Sequence, residues 1–411
     1  MKKGTGFNKF ILLWTGELIS SIGGGLTSFG LGVYVFQTTG SVMSTTMITL
    51  LAFLPTLLLS VPAGVLADQI DRRLLMMVGD GCSALGLLYI LVCMQCGEIA
   101  IWQIYIGVTV SSVFSSLLEP SYRATISDLL TKDEFAKASG LVSLAGSARY
   151  LISPFLAGLL LAVSDIRLLL VIDIATFGLT IISTAVVRNG LGTEKMNVQT
   201  SFFKDLTDGW KIVTEKRGVL LLVILSSFMT VSMGTIQVLS EPMILDFANS
   251  KTLGIAESIC ACGMLVSSIL LGIKGMKKGY TKVLSISLAF AGGAMVIFGL
   301  KENIILICFA GFLFFSMLPI SNSCLDYLVR TNIDSNLQGR AWGVIGFLSQ
   351  IGYVAAYVAG GVGADAIAKG LSVGAGRGCA YMIILSGVIL IILAVILYKI
   401  KCIRMLEGEN V

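Results

Sequence analysis

The sequence lacks histidine altogether, and only 13% of its 411 residues are charged. Without histidine the chain has no histidine general base, no histidine metal ligand and no Ser-His or Cys-His nucleophilic pair. The dipeptide Gly-Lys is also absent, which excludes a GxxxxGK[ST] phosphate-binding loop and an ATPase site built on it. We therefore predict that the protein is not an enzyme and carries no cofactor.

The nine cysteines are scattered, and only two pairs of them lie close together. Cys93 and Cys96, and likewise Cys260 and Cys262, lie in apolar stretches that offer no further metal ligands. We expect these cysteines to be small apolar packing residues, and we predict no metal site.

Hydrophobic residues make up 55% of the chain and form long apolar runs along its whole length. Soluble domains carry about 25% charged residues, whereas a helix of about 20 apolar residues crosses a hydrocarbon core of about 30 Å. About twelve such runs leave no room for a soluble catalytic domain. We predict an all-α polytopic membrane protein of the cell membrane. The predicted spans are 9–37, 43–67, 74–96, 99–120, 138–163, 167–188, 218–245, 252–273, 282–300, 302–323, 341–364 and 379–398.

The basic residues are distributed unevenly between the two sides of the predicted membrane. The N-terminus and alternate loops hold 23 of the 29 Lys and Arg residues, and the opposite loops hold five. Because Lys and Arg concentrate in cytoplasmic loops, this asymmetry predicts cytoplasmic termini and an even number of spans. The net charge of +5 therefore reflects topology, and we predict no nucleic-acid binding.

Two corresponding stretches indicate an internal repeat. Lys137-Ala-Ser-Gly140 opens the fifth span, and Arg340-Ala-Trp-Gly343 opens the eleventh. This basic-Ala-x-Gly pattern, repeated six spans apart, predicts two related six-helix halves. The predicted domains are residues 1–188 and 218–411, joined by a cytoplasmic connector over 189–217.

The connector contains an amphipathic segment over 201–213. Phe203, Leu206, Trp210 and Val213 share one helical face, and charged side chains lie elsewhere around the helix. The pattern predicts a helix at the cytoplasmic membrane surface that tethers the two halves.

Polar residues recur at helical spacing in the first, fourth, seventh and tenth spans. A polar side chain in a span faces protein or water rather than lipid. Serine and glycine positions are also consistent with close helix packing, but a carboxylate at mid-membrane costs about 2.5–3.5 kcal/mol and favours an aqueous cavity. The predicted cavity residues are Glu17, Ser20 and Thr27 in span 1, Ser112, Ser116 and Glu119 in span 4, Thr230, Gln237 and Glu241 in span 7, and Asn322 and Asp326 in span 10.

Arg149 in span 5 is the only basic residue well inside a predicted span. A buried arginine needs an acceptor, and we expect Glu17 or Glu119 to supply it. The expected ion pair is either part of the functional cavity or purely structural. Asp173 is a weaker candidate because it lies nearer a span end, and we group Asp80 with the loop charges.

The loop after span 2 reads Pro62-Ala-Gly64-Val-Leu-Ala-Asp68-Gln69-Ile-Asp71-Arg72-Arg73. This stretch resembles the loop signature GxLaDrxgrkr of the major facilitator superfamily. The matching positions are Gly64, Asp68, Arg72 and Arg73. Gln69 stands where an arginine is usual, and Asp71 stands where a glycine is usual.

The carboxylate of Asp68 has a predicted conformational role. It can accept hydrogen bonds from a neighbouring helix N-terminus or from Arg123, and so stabilise one conformation. We count Arg340, the basic residue that opens span 11, with this conformational set.

Span 5 contains Gly146-Ser-Ala-Arg-Tyr-Leu-Ile-Ser153-Pro154-Phe-Leu-Ala-Gly158. It resembles a weakened form of the gxxxGPxxGG motif of the antiporter branches of the superfamily, with Ser153 replacing a glycine. Pro154 removes a backbone donor and permits a helix bend.

Shorter matches resemble the drug-exporter branch that includes the macrolide efflux proteins. The matching stretches are Leu13-Trp-Thr-Gly-Glu17-Leu-Ile-Ser20-Ser-Ile-Gly23, Thr39-Gly40-Ser41, Pro120-Ser-Tyr-Arg-Ala124, Asp205-Leu-Thr-Asp-Gly209 and Gln338-Gly-Arg340. Glu17 departs from the amide more usual there. The resemblance spans nearly the whole chain, and it implies two halves that rock about a midplane site, driven by proton entry.

We therefore expect a proton-coupled exporter of hydrophobic or amphiphilic compounds, a monomer in the lipid bilayer with a small-molecule substrate. The acidic cavity residues outnumber Arg149, which favours a cation or a proton over an anion. Without histidine, protons are carried by desolvated carboxylates, and Glu17 either couples protons or binds a cationic substrate group. The alternative function is a dedicated exporter or importer of a natural metabolite such as a siderophore or lipid.

Overall fold

The computed structural model describes residues 5–131, 134–188, 210–211, 213–215, 217–276, 279–333 and 338–408. Through these residues the protein is all-helical, without a strand. Twelve helical segments in this part of the chain are long and apolar enough to cross a membrane. The prediction of an all-α protein with twelve spans is confirmed.

The helices extend past most of the predicted span ends. Span 10, for example, continues as a helix nine residues beyond its predicted end at 323, so that Asp326 is helical. In span order the helices are Thr5–Thr39, Val42–Gln69, Arg72–Gln95, Ile101–Ser115 followed by Leu118–Leu129, Phe135–Val163, Ile166–Arg188, Arg217–Leu245, Ser250–Lys274, Tyr280–Leu300, Ile304–Asn332, Gln338–Leu371 and Ala375–Lys399, and a short helix Lys401–Gly408 ends the described chain.

The fourth span consists of two helices, with a break at Ser116 and Leu117. Pro120 explains the position of the break. A proline lacks the N–H that would bond the carbonyl four residues earlier, and its ring clashes with that carbonyl, which here belongs to Ser116. The helix therefore ends, and Pro120 falls in the first turn of the next helix, where proline is tolerated.

The chain divides into two compact units. As far as their residues are described, unit 1 comprises Met1–Thr39, Met47–Gln199 and Ser250–Gly254, and unit 2 comprises Gly40–Thr46, Thr200–Asn249 and Ile255–Val411. Unit 2 thus includes Gly40–Thr46 at the start of span 2, although the rest of span 2 lies in unit 1. Unit 1 includes Ser250–Gly254 at the start of span 8, although the rest of span 8 lies in unit 2. We call Gly40–Thr46 and Ser250–Gly254 the exchanged segments.

The same order of helix packing occurs within each unit. In unit 1, span 1 packs against spans 5 and 6, and span 3 packs against spans 4 and 6. In unit 2, span 7 packs against spans 11 and 12, and span 9 packs against spans 10 and 12. The pairings in one unit are those of the other, displaced by six spans.

Most of the predicted connector, 189–217, lies outside the described residues. Of the apolar face predicted for its amphipathic helix, Trp210 and Val213 are described, and both are helical. Val213 is fully buried, whereas Trp210 is exposed.

A row of glycines on span 1 allows span 6 to approach closely. Gly16, Gly23 and Gly30 are seven residues apart, and all three face span 6. A Cβ at Gly23 would lie 2.6 Å from Thr176 Oγ1 and 2.8 Å from Asp173 Oδ1. Small residues at such contacts bring helix backbones together, and dispersion and polar contacts then hold them in the membrane.

Carboxylates cap two helix N-termini inside unit 2. The Glu407 carboxylate, in the last short helix, accepts from Tyr280 N (2.8 Å) and Thr281 N (3.2 Å) at the start of span 9. Asp246, after span 7, accepts from Gly376 N (3.2 Å) at the start of span 12. The first N–H groups of a helix have no partner within it, and a carboxylate both satisfies them and favours the positive end of the helix dipole.

Candidate functional site

In unit 1, Glu17 is half-buried and lies within electrostatic range of Arg149 and Glu119. Arg149 is exposed rather than buried, and its stem passes beside Gly25, where a Cβ would lie 3.3 Å from Arg149 Cγ. Among the described residues neither Glu17 nor Glu119 forms an ion pair with Arg149. The structure therefore brings the three charges near one another without joining them.

Glu119 is paired instead with Arg123, one helical turn away. The Oε1 and Nη2 atoms are 2.8 Å apart, and both side chains are largely exposed. Span 10 carries the same arrangement, since Asp326 Oδ2 lies 2.8 Å from Arg330 Nε. An acid four residues before an arginine is the orientation that favours such pairs, so the sequence spacing could have identified Arg330.

The polar stripe of span 1 is divided between two faces. Thr27 is buried, and Ser21 donates to Leu18 O (3.0 Å) and to Ala145 O of span 5 (3.4 Å). Ser20 is half-buried like Glu17, and a Cβ at Gly24 would meet no atom within 4 Å. The open face of span 1 thus carries Glu17 and Gly24.

The serines of span 4 bind neighbouring helices. Ser112 donates to Ala52 O of span 2 (2.5 Å), and Ser115 Oγ lies 2.9 Å from Ser83 Oγ of span 3. Ser116 donates to Val113 O in its own helix, and both Ser112 and Ser116 are buried. In this span the structure favours helix packing over cavity lining for the hydroxyl groups.

Most of the stripe of span 7 packs against span 11. Thr230 lies against Gly352, where a Cβ would collide with its hydroxyl, and Gln237 Oε1 accepts from the Tyr357 hydroxyl (3.1 Å). Glu241 Oε1 is buried and has no hydrogen-bond partner among the described residues. Span 7 therefore contributes a helix interface with one unsatisfied carboxylate oxygen at its end.

Two further carboxylates lie in the core of unit 1. Asp173 in span 6 is 1% exposed, and Asp80 in span 3 is 3% exposed. Thr176 donates to Asp173 O (2.7 Å) and approaches its Oδ1 (3.4 Å). Asp80 is thus a buried residue and not one of the loop charges, because span 3 begins at Arg72 and carries it two turns into the helix.

Unit 2 contains a cavity of about 400 Å³ between spans 7, 10 and 11. Asn322 and Asp326, both predicted cavity residues, lie on its wall. Trp342 also lines it, and its indole Nε1 is buried without a hydrogen-bond partner among the described residues. The remaining lining residues are Val223, Ser226, Ser323, Leu325, Val329, Ile345 and Ser349. The wall therefore combines a carboxylate, several neutral polar groups and an apolar surface.

The loop between spans 2 and 3 holds a charge cluster that the sequence analysis identified only in part. The Asp128 carboxylate, at the end of span 4, lies 2.6 Å from Arg72 Nη1 and 3.3 Å from Arg73 Nη2. Asp68, in contrast, lies 3.5 Å from Arg72 and is 46% exposed. Asp128 is therefore the main partner of both arginines, and Arg123 is paired with Glu119 rather than with Asp68.

Asp71, which departs from the family signature, has two partners. Its Oδ1 accepts from Arg73 N (3.1 Å) and so caps span 3, and its Oδ2 lies 2.8 Å from Arg188 Nε at the end of span 6. The side chain thus gives span 3 an N-cap that glycine lacks. Gly64 has open space around it.

The motif of span 5 is explained by contacts with its neighbours in unit 1. Ser153 is fully buried and donates to Ile22 O of span 1 (3.0 Å). Gly25 leaves room for it, because a Cβ at Gly25 would collide with the serine side chain. Pro154 lies inside a helix that continues to Val163, and a Cβ at Gly158 would lie 2.7 Å from Ser250 O. The side chain of Arg340 lies outside the described residues.

The chain matches a known family over most of its length and resembles transporters of known structure. Residues 13–357 match the Major Facilitator Superfamily. The chain is 24% identical to Macrolide efflux protein A of Streptococcus pyogenes over 406 residues, 97% of each chain, and 24% identical over 392 residues, 92% of each chain, to the uncharacterized MFS-type transporter YfiS of Bacillus subtilis (strain 168).

Solved structures support the same fold at low sequence identity. The nucleoside transporter NupG superposes with a TM-score of 0.77 at 12% identity, over 96% of this chain and 100% of the other. A bacterial homologue of the iron transporter ferroportin gives 0.74 at 14% identity, over 96% and 99%. These comparisons confirm that the protein is a membrane transporter and not an enzyme, and the chain belongs to the Major Facilitator Superfamily.

Proposed function

We propose that the protein is a proton-coupled exporter of hydrophobic or amphiphilic compounds that works by alternating access as a single chain. The observation that carries this proposal is the similarity to Macrolide efflux protein A along nearly the full length of both chains. The cavity of unit 2 supports it, because its mixed lining suits an amphiphile. Asp326 on the cavity wall is paired with Arg330 at 2.8 Å, so the wall does not by itself select for a cationic substrate.

The proposed proton route uses carboxylates. The sequence has no histidine, so protons must bind to acidic side chains whose solvation changes during the cycle. We assign coupling to Glu17, because it is half-buried on the open face of span 1 and within range of Arg149. Asp173 and Asp80 are more deeply buried and form part of the packed core.

Accumulation assays test the export proposal. Cells that produce the protein should accumulate less of a set of amphiphilic compounds, macrolides among them, than cells without it. Collapsing the proton gradient with a protonophore should remove the difference. A difference that survives the protonophore would contradict proton coupling, and no difference for any compound would contradict export.

We also propose that the two halves, 1–188 and 218–411, are a structural repeat joined by the connector over 189–217. The helix pairings of the two units, displaced by six spans, support this. Spans 4 and 10 also each carry an acid followed four residues later by an arginine that pairs with it.

The charge asymmetry supports cytoplasmic termini, and native cysteines offer a test. Cys96 is exposed in the loop between spans 3 and 4, which the topology places outside. A membrane-impermeant thiol reagent should label Cys96 on intact cells. It should label Met405→Cys in the last helix, where Met405 is 57% exposed, only after the cells are permeabilised. The reverse pattern would overturn the assignment.

A further inference from the structure

The turn between spans 1 and 2 is built from a motif that the proposed function does not use. Span 1 ends at Thr39, Gly40 has a positive φ of 62°, and span 2 begins at Val42. Glycine favours this left-handed conformation because it has no Cβ. Ser41 then stands at the N-terminal end of span 2, next to the first N–H groups of the helix.

A carboxylate from span 11 caps this helix start. Asp365 Oδ1 accepts from Val42 N, and its Oδ2 accepts from Met43 N and from Ser41 Oγ, each at 3.2 Å. Ser41 Oγ in turn accepts from Ser44 N (3.3 Å). The first three N–H groups of span 2 are therefore satisfied together, two of them by a residue more than 300 positions away. Such charge-assisted bonds are stronger than neutral ones, and the helix dipole favours the negative charge there.

Close packing one turn earlier on span 11 reinforces the cap. A Cβ at Gly361 would lie 3.2 Å from Thr46 Cβ and 3.2 Å from Met43 Sδ. Val42 is fully buried, and Thr46 is 1% exposed. The start of span 2 is thus held on span 11 by three hydrogen bonds and a glycine contact.

The capped segment is one of the two that the units exchange. Gly40–Thr46 belongs to unit 2, whereas span 2 from Met47 onwards belongs to unit 1. The other exchanged segment, Ser250–Gly254, approaches the backbones of Pro154 and Gly158 closely in unit 1.

We infer that Asp365 is a positioning residue of the transport cycle: it holds the first turns of span 2 in one conformation, and it must release them when the protein converts to the other. The inference also gives a physical reason for Thr39-Gly40-Ser41, because the glycine forms the turn and the serine completes the cap. The inference rests on the proposed alternating access, but it does not depend on which substrate is carried or on proton coupling.

Disulfide formation between Thr46→Cys and Gly361→Cys measures how often the contact is closed, because the two Cβ atoms would lie near the separation of a disulfide. The measurement uses reconstituted protein whose native cysteines have been replaced and whose transport has been verified. Asp365→Asn keeps the side-chain size but loses the charge and one acceptor. We expect it to slow disulfide formation about tenfold, and Ser41→Ala to slow it less.

Asp246→Asn is the matched control, since Asp246 also caps a helix start, but the helix it caps, Ala375–Lys399, lies wholly in unit 2, whereas span 2 continues into unit 1. It should leave the disulfide rate unchanged. An unchanged rate in Asp365→Asn, or an equal decrease in Asp246→Asn, would overturn the inference. If Asp365→Asn fails to fold, Ser41→Ala replaces it: its disulfide rate should fall relative to that of Asp246→Asn, and an unchanged rate would overturn the inference.

The oxidised pair provides a second readout that a merely structural role would not affect. Transport should stop when the disulfide forms and return when it is reduced, because the contact can no longer open. If the oxidised protein transported at the normal rate, the contact would not need to open and the inference would fail. If the protein did not export amphiphilic compounds, the disulfide should still form more slowly in Asp365→Asn than in Asp246→Asn, so the two proposals can fail separately.

Discussion

Glu17→Gln is expected to abolish proton-driven export and to leave downhill substrate exchange nearly intact. Glu17 is half-buried on the open face of span 1, near the exposed Arg149. A carboxylate holds a proton when it is poorly solvated and loses it when water or a cation stabilises the charged form. Glutamine has the same shape but cannot lose a proton, so the change in charge that links protonation to conformation disappears.

Proteoliposomes with an imposed proton gradient separate the two activities. We expect uphill export by Glu17→Gln to fall at least about tenfold, because glutamine at position 17 cannot bind and release a proton. Exchange of labelled for unlabelled substrate should change far less. Glu98→Gln, in the exposed loop between spans 3 and 4, makes the same chemical change at a distance and should keep both activities.

The competing role for Glu17 is direct binding of a cationic substrate group. In that case Glu17→Gln would lose cationic substrates but would still pump neutral ones with an unchanged pH dependence. That outcome would rule out coupling at this position. Comparing one neutral and one cationic compound in the same assay therefore distinguishes the two roles.

The number and placement of the spans could be predicted from the sequence, because a span needs only a local apolar run. The break in span 4 could not be predicted in the same way. Pro120 removes the partner of the Ser116 carbonyl, but Pro154 does the same in span 5 and that helix continues. Apolar content reports burial in lipid and not helix continuity.

The faces of the helices were harder to assign. In span 7, Thr230 and Gln237 have the spacing expected of a cavity face, yet they pack against Gly352 and Tyr357 of span 11. A polar stripe shows that a face avoids lipid, but a packed helix satisfies that condition as well as water does. Whether a polar face lines a cavity or packs against a helix depends on residues about 120 positions away in the sequence.

The pairing of charges in the loop between spans 2 and 3 likewise could not be read from the motif. Asp128 lies more than 50 residues after Arg72 and Arg73, and the family signature does not contain it. Asp71 looked like a defect in the signature, but the structure gives it a cap and an ion pair with Arg188. The motif identified the arginines, and only the fold identifies their acceptors.

Asp128→Ala is expected to destabilise unit 1 more than any change at Asp68. Arg73 is 5% exposed at its side chain, and its Nε is buried without a partner among the described residues. Removing Asp128 would leave this guanidinium and that of Arg72 without their main acceptor. Breaking a buried pair costs about 3–5 kcal/mol, and partial exposure of Asp128 reduces the expected loss to roughly 2–3 kcal/mol.

Thermal unfolding in detergent, followed by size-exclusion chromatography, measures the difference. We expect Asp128→Ala to lower the apparent Tm by roughly 5–10 °C. Asp68→Asn should change it little, because an exposed pair four residues apart contributes about 0.3–0.5 kcal/mol. If Asp68 stabilises one conformer, Asp68→Asn should still slow transport without weakening substrate binding. Equal Tm losses in the two variants, or normal transport with much weaker binding in Asp68→Asn, would show that Asp68 holds the loop or the ligand and that the division of roles proposed here is wrong.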